Sequence, residues 1–124
     1  ASRFEYTTIH FGAALGLAAA VEEINKFGID KVWEHDISLV DSLIEGVNKI
    51  GIEIASPQSE SERSAIVSLR LPGGHSSLDI ANKLQDDYSI LVTSRAGLLR
   101  VSPHIDNNLN DIQKLLDALK DLLS

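Results

Sequence analysis

Apolar residues change their spacing repeatedly along this 124-residue chain, which limits it to a mixture of helices and strands rather than a pure bundle or sandwich. Up to residue 51 the chain reads as helical, with apolar residues at three- and four-residue steps over 30–51. Segment 9–28 is rich in alanine and leucine, carries Lys26 near its end and closes on Gly28, which predicts a helix. Segment 30–51 opens on Asp30 as N-cap and aligns Val32, Trp33, Ile37, Val40, Leu43, Ile44, Val47 and Ile50 along one stripe before Gly51 stops it. With so short a connection, the two helices must pack side by side or bend sharply.

Beyond Gly51 the period shortens. Residues 52–55 predict a short strand, and the polar stretch 56–64 a flexible loop that is not a domain boundary. In 65–72, Ala65, Val67, Leu69 and Leu71 alternate with Ile66, Ser68 and Arg70, the pattern of a strand with one buried face, ended by Pro72-Gly73-Gly74. Ser76 with Asp79 forms a capping pair for a helix whose apolar face is Leu78, Ala81 and Leu84. Segments 89–95 and 97–103 read as strands joined by a tight hairpin at Ala96-Gly97. Asn107 and Asn108 then cap a last helix carrying Leu109, Ile112, Leu115, Leu116, Leu119, Leu122 and Leu123. The expected fold is α/β of the α+β kind. An N-terminal helical pair (1–51) precedes a β-α-β-β-α unit (52–124) whose small, mainly antiparallel sheet is covered by helices, all in one domain, 1–124.

Composition removes several function classes. A net charge of −7 and a pI near 4.9, with no basic stripe, argue against nucleic acid and against an anionic membrane surface. No cysteine is present, so disulfides, thiolate metal sites and thiol nucleophiles are excluded together, which fits a cytoplasmic protein. The longest apolar stretch, 11–21, is too short to span a bilayer and lacks the basic flank of a signal peptide. The chain has no methionine and opens on Ala1-Ser2-Arg3, as expected of a processed product or a piece of a longer chain. His10, His35, His75 and His104 are never at metal-ligand spacing, so no metal is expected. Gly73-Gly74 fits no phosphate-loop spacing and reads as a turn, and the carboxylates read as solvated helix faces.

Arg100 does not fit this plain picture. It interrupts the apolar run "GLLRVSPH" (97–104), where an unpaired buried charge is costly. Two readings stand. The strand lies at a sheet edge and the guanidinium snorkels to water, or the planar fork of donors is held for a carboxylate that completes it. Arg95, one hairpin away, can contribute to the same field.

"RFEYTTIHFGAALGLAAAVEEINKFGIDKVWEHD" resembles the segment that opens the small C-terminal domain of class V aminotransferases, the cysteine desulfurase-like group of fold type I pyridoxal phosphate enzymes. "ERSAIVSLRLPG" and "SRAGLLRVSPHIDNNLNDIQKLLDAL" are similar to its middle strand and its closing stretch. The resemblance implies that Arg100 holds the substrate α-carboxylate. It also implies that Thr8, in Arg3-Phe4-Glu5-Tyr6-Thr7-Thr8, reaches the cofactor phosphate of the neighbouring subunit, although Thr7 stands where the family has glycine. Arg95 and Gly97 match a structural Arg-X-Gly, and Asn107 a helix cap. The cofactor lysine, the pyridinium aspartate and the ring-stacking group belong to the family's large domain, upstream of these residues. Desulfurases carry a cysteine between the counterparts of Arg95 and Arg100, and none is present here, so persulfide transfer is not expected.

The resulting expectation is the small domain of a homodimeric enzyme that uses pyridoxal phosphate on an amino acid by transamination, elimination or epimerisation. Its immediate partner is the large cofactor-binding domain of the same chain, and alone it is inert, self-associating through the apolar face of helix 9–27. Two alternatives come from other classes: a stand-alone regulatory module that binds a free amino acid through Arg100, and a purely structural oligomerisation domain. Residues 1–51 discriminate, because a regulatory module has no use for "RFEYTT" followed by two long helices.

Overall fold

A computed structural model describes residues 10–124. The elements are α1 (Phe11–Phe27), α2 (Ile29–Lys49), β1 (Glu53–Ile54), β2 (Val67–Arg70), a 3-10 turn (Pro72–Gly74), α3 (Ser77–Tyr88), β3 (Thr93–Arg95), β4 (Leu98–Val101) and α4 (Leu109–Leu122). They fall into two compact units, one ending at Val32 and the other spanning Trp33–Ser124.

In the first unit, α1 is a 17-residue helix with no buried residue. Phe11, Leu15, Leu17 and Phe27 are all more than half exposed. Gly28 ends it at φ 88°, a backbone region L-residues rarely adopt. The next helix starts two residues earlier than an N-cap at Asp30 implies: Val32 N–H already donates to the Gly28 carbonyl at 3.2 Å. Asp30 therefore lies inside the first turn of α2, where its charge complements the helix dipole, and is not the N-cap.

The second unit holds the core. Its four strands run entirely antiparallel in the order β1-β2-β4-β3. Val67 and Leu69 from β2 and Leu99 and Val101 from β4 meet Leu39, Val40, Leu43 and Val47 of α2, Ile80 and Leu84 of α3, and Ile112, Leu115 and Leu119 of α4. Nine of the core leucines and valines are under 2 % exposed, and each such side chain contributes about 1.5–3 kcal/mol on leaving water. Alternation puts Ser68 and Arg70 of β2 on the opposite face of the sheet, as expected.

Several boundaries differ from the sequence reading for local reasons. The strand expected over 89–95 begins only at Thr93. Ser89 adopts φ 57° as the left-handed cap of α3, and Ile90 N–H is taken by the Leu84 carbonyl at 2.9 Å, so these groups serve the helix end. Leu78 is 58 % exposed, and the buried stripe of α3 is Ser77, Ile80, Ala81 and Leu84. Ser77 is satisfied by Ser94 on β3, Oγ to Oγ at 2.7 Å. Leu109 is likewise exposed. The cap of α4 is Asn108, in a capping box with Asp111, whereas Asn107 turns its Oδ1 back to accept from His104 N–H at 3.0 Å. The hairpin forms at Ala96-Gly97, with both residues at positive φ and Arg95 facing Leu98. The polar stretch 56–64 is tied at both ends, through Ser56 Oγ accepting from Ser68 N–H and Arg63 paired with Asp41.

Candidate functional site

The face of the sheet turned away from the core carries the unusual chemistry. β4 lies between β2 and β3, so Arg100 is not on an edge strand and the snorkelling explanation loses its premise. Arg100 is half-buried, and its Nε is shielded from solvent without a hydrogen-bond partner among the described residues. Such a donor costs stability unless something else completes it.

Register supplies its surroundings. Arg100 faces Ser68 on β2 and Thr93 on β3, so these three residues form one row across the sheet. Two positions further along the flanking strands come Arg70 and Arg95, on the same face because side chains alternate with period two. Three of the chain's five arginines thus share one small surface of a protein whose net charge is −7. Arg70 is compensated, its Nε donating to Glu53 Oε1 at 3.1 Å across the β1–β2 pair. Neither Arg95 nor Arg100 has a carboxylate partner among the described residues. Chemically, the face offers planar, permanently charged donors to an anion. Thr8, the other residue singled out from the sequence, lies outside the described residues.

A second polar cluster, not anticipated from spacing, joins α2 to the segment after β4. Asp36 is 5 % exposed; its Oδ2 is 2.8 Å from His104 Nδ1, and its Oδ1 is buried without a partner. Beside it, His35 Nε2 lies 3.0 Å from the Asn107 carbonyl oxygen. A charged residue in the apolar stripe of a helix was the available signal, since Asp36 falls next to Ile37 and three residues before Leu39. Among the described residues no group of three or more potential ligands could hold a metal, and no helix is long and apolar enough to cross a membrane.

Residues 1–115 match the family described as Aminotransferase class-V, a match that includes both N-terminal helical segments. A probable cysteine desulfurase of Pyrococcus abyssi is 31% identical over 98% of this chain and 33% of its own length. The structure is similar to that of a cysteine desulfurase from Thermococcus onnurineus, with TM-score 0.89 and 28% identity over 98% of this chain and 33% of that one. An alanine–glyoxylate aminotransferase from Nostoc shares the fold, with TM-score 0.75 and 20% identity over 100% of this chain and 34% of its own. The chain therefore spans about a third of the length of these relatives.

Proposed function

Because the chain belongs to the class-V aminotransferase family, we propose that it is the substrate-carboxylate-binding part of a longer enzyme acting on an amino acid. The observation that carries this reading is Arg100: a half-buried guanidinium on an interior strand, with a shielded Nε lacking a partner among the described residues. An α-carboxylate docked on it receives charge-assisted, bidentate hydrogen bonds and offsets the cost of keeping the charge out of water. Fixing that carboxylate orients the amine and α-carbon of the substrate.

Enzymes of this family depend in general on pyridoxal phosphate, which supplies carbanion stabilisation at the substrate α-carbon. The described residues do not fit its covalent attachment. All six lysines are exposed on helices, and two of them, Lys26 and Lys49, are paired with Glu23 and Glu45. Attachment is assigned to the part of the relatives' length that this chain does not span, and the chain alone is inert. A contact of Thr8 with the cofactor phosphate of a neighbouring subunit belongs to the same reading, as do a homodimeric parent and a cytoplasmic location. The exposed apolar side chains of α1 support self-association. A sedimenting monomer at high concentration would remove that part of the reading.

Transamination, elimination or epimerisation is proposed rather than persulfide transfer. The chain has no cysteine, and only Ala96 and Gly97 separate β3 from β4. The test uses the full-length protein. Replacing Arg100 with methionine removes hydrogen bonds to a charged group worth about 1.5–3 kcal/mol, so KM for the amino acid should rise roughly 10- to 150-fold. An unchanged KM, with the characteristic borohydride-reducible absorbance of the cofactor intact, would overturn the assignment.

A further inference from the structure

We propose that the substrate is an acidic amino acid, with its α-carboxylate on Arg100 and its side-chain carboxylate on Arg95; this rests on the reading of Arg100 given above. Arg100 faces Thr93, and Arg95 lies two residues further along β3, so the two arginines are diagonal neighbours on one face of an antiparallel pair. Such positions are roughly 7–8 Å apart, within reach of each other's long side chains. Two anionic groups separated by two or three carbons match two guanidinium forks at this spacing.

The opposite diagonal gives the contrast. Arg70 stands two residues beyond Ser68, the β2 residue facing Arg100, and its positive charge would repel that of Arg100. Glu53 compensates Arg70 at 3.1 Å. Arg95 lies on the edge strand β3, with no neighbouring strand outside it among the described residues to supply such a carboxylate, and is left exposed at the end of a hairpin that fixes its backbone. One flank of Arg100 is thus internally neutralised and the other is left for an incoming anion. A neutral side chain would leave two like charges as diagonal neighbours across β3 and β4, which costs free energy in proportion to how far solvent is displaced.

The experiment compares the full-length, cofactor-loaded enzyme with its Arg95→Ala, Arg95→Lys and Arg100→Lys variants. Substrates are aspartate and glutamate against asparagine and glutamine. A non-turnover readout is inhibition by succinate and glutarate against butyrate and valerate. In the unsubstituted enzyme the acids are expected to exceed their amides in kcat/KM by roughly 10- to 100-fold, the range of one charge-assisted pair. Arg95→Ala should bring that ratio close to one by lowering kcat/KM for the acids far more than for the amides, and Arg95→Lys should restore part of the ratio. Dicarboxylate inhibition should weaken in parallel, and by more than monocarboxylate inhibition. Arg100→Lys should weaken every ligand together. An acid-to-amide ratio near one before substitution, or a ratio insensitive to Arg95, overturns the proposal while the Arg100 reading stands. Failure of Arg100→Lys to weaken any ligand overturns that reading itself.

Discussion

Replacing Gly46 with alanine should destabilise this protein, although the same change in an exposed helix interior stabilises by about 0.5–1 kcal/mol. Gly46 lies in α2 opposite Leu116 of α4. A Cβ built there would stand 2.2 Å from Leu116 Cδ1, 2.7 Å from Cδ2 and 3.0 Å from Cγ. Because both methyls and the branch carbon are met together, no small rotation of the leucine relieves the overlap, and α2 and α4 must separate or Leu116 must leave its rotamer. Overpacking of this kind costs about 1–3 kcal/mol. With three close contacts the upper half of that range applies, so the net effect after the helix gain is a loss of about 1–2 kcal/mol. Urea unfolding with a shared m-value would register it as a lower midpoint. The decisive background is Leu116→Ala, which empties the space. There, Gly46→Ala should stabilise by up to about 1 kcal/mol, a coupling of about 2–3 kcal/mol between the two positions. If Gly46→Ala raised the midpoint equally in both backgrounds, close approach of these helices would not be what selects glycine.

Other perturbations have equally definite outcomes. His104→Ala removes the only hydrogen-bond partner the described residues give the buried Asp36 carboxylate, and should cost about 1–3 kcal/mol in urea unfolding; adding Asp36→Leu should recover most of the loss, because no buried charge then remains. Ala96 pays for a left-handed backbone at φ 51° in the hairpin, so Ala96→Asn should stabilise by roughly 0.5–1 kcal/mol in thermal unfolding, and a loss would contradict the turn geometry. The Tyr88 hydroxyl donates to Asp121, and that bond, then burial and the charges of Asp121 and Asp87, holds the phenol above its ordinary range. A raised folded pKa means that this contribution is fully present below the unfolded value, about 10, and disappears as pH rises through the folded one. Unfolding midpoints measured across alkaline pH should therefore fall more steeply for the unsubstituted protein than for Tyr88→Phe.

Element types were legible in the sequence because periodicity is local: each helix and strand must present its apolar residues to one side wherever the core turns out to be. Gly28, Gly51, the hairpin at Ala96-Gly97 and the antiparallel α+β class all follow from such local chemistry, and Arg100 was conspicuous because a charge broke the pattern. Boundaries were less legible where a neighbouring group settled them, as when the end of α3 claimed Ser89 and Ile90, or when Asn107 turned to His104 and left Asn108 as the cap. Tertiary structure alone decided that β4 lies inside the sheet, that Arg70 meets Glu53 while Arg95 meets no carboxylate among the described residues, and that Asp36 pairs with a histidine 68 residues away. Strand order and long-range pairing depend on which surfaces close over the core together. Spacing along one segment carries no record of that choice, so the sequence could mark the arginine as unusual while the sheet determined what surrounds it.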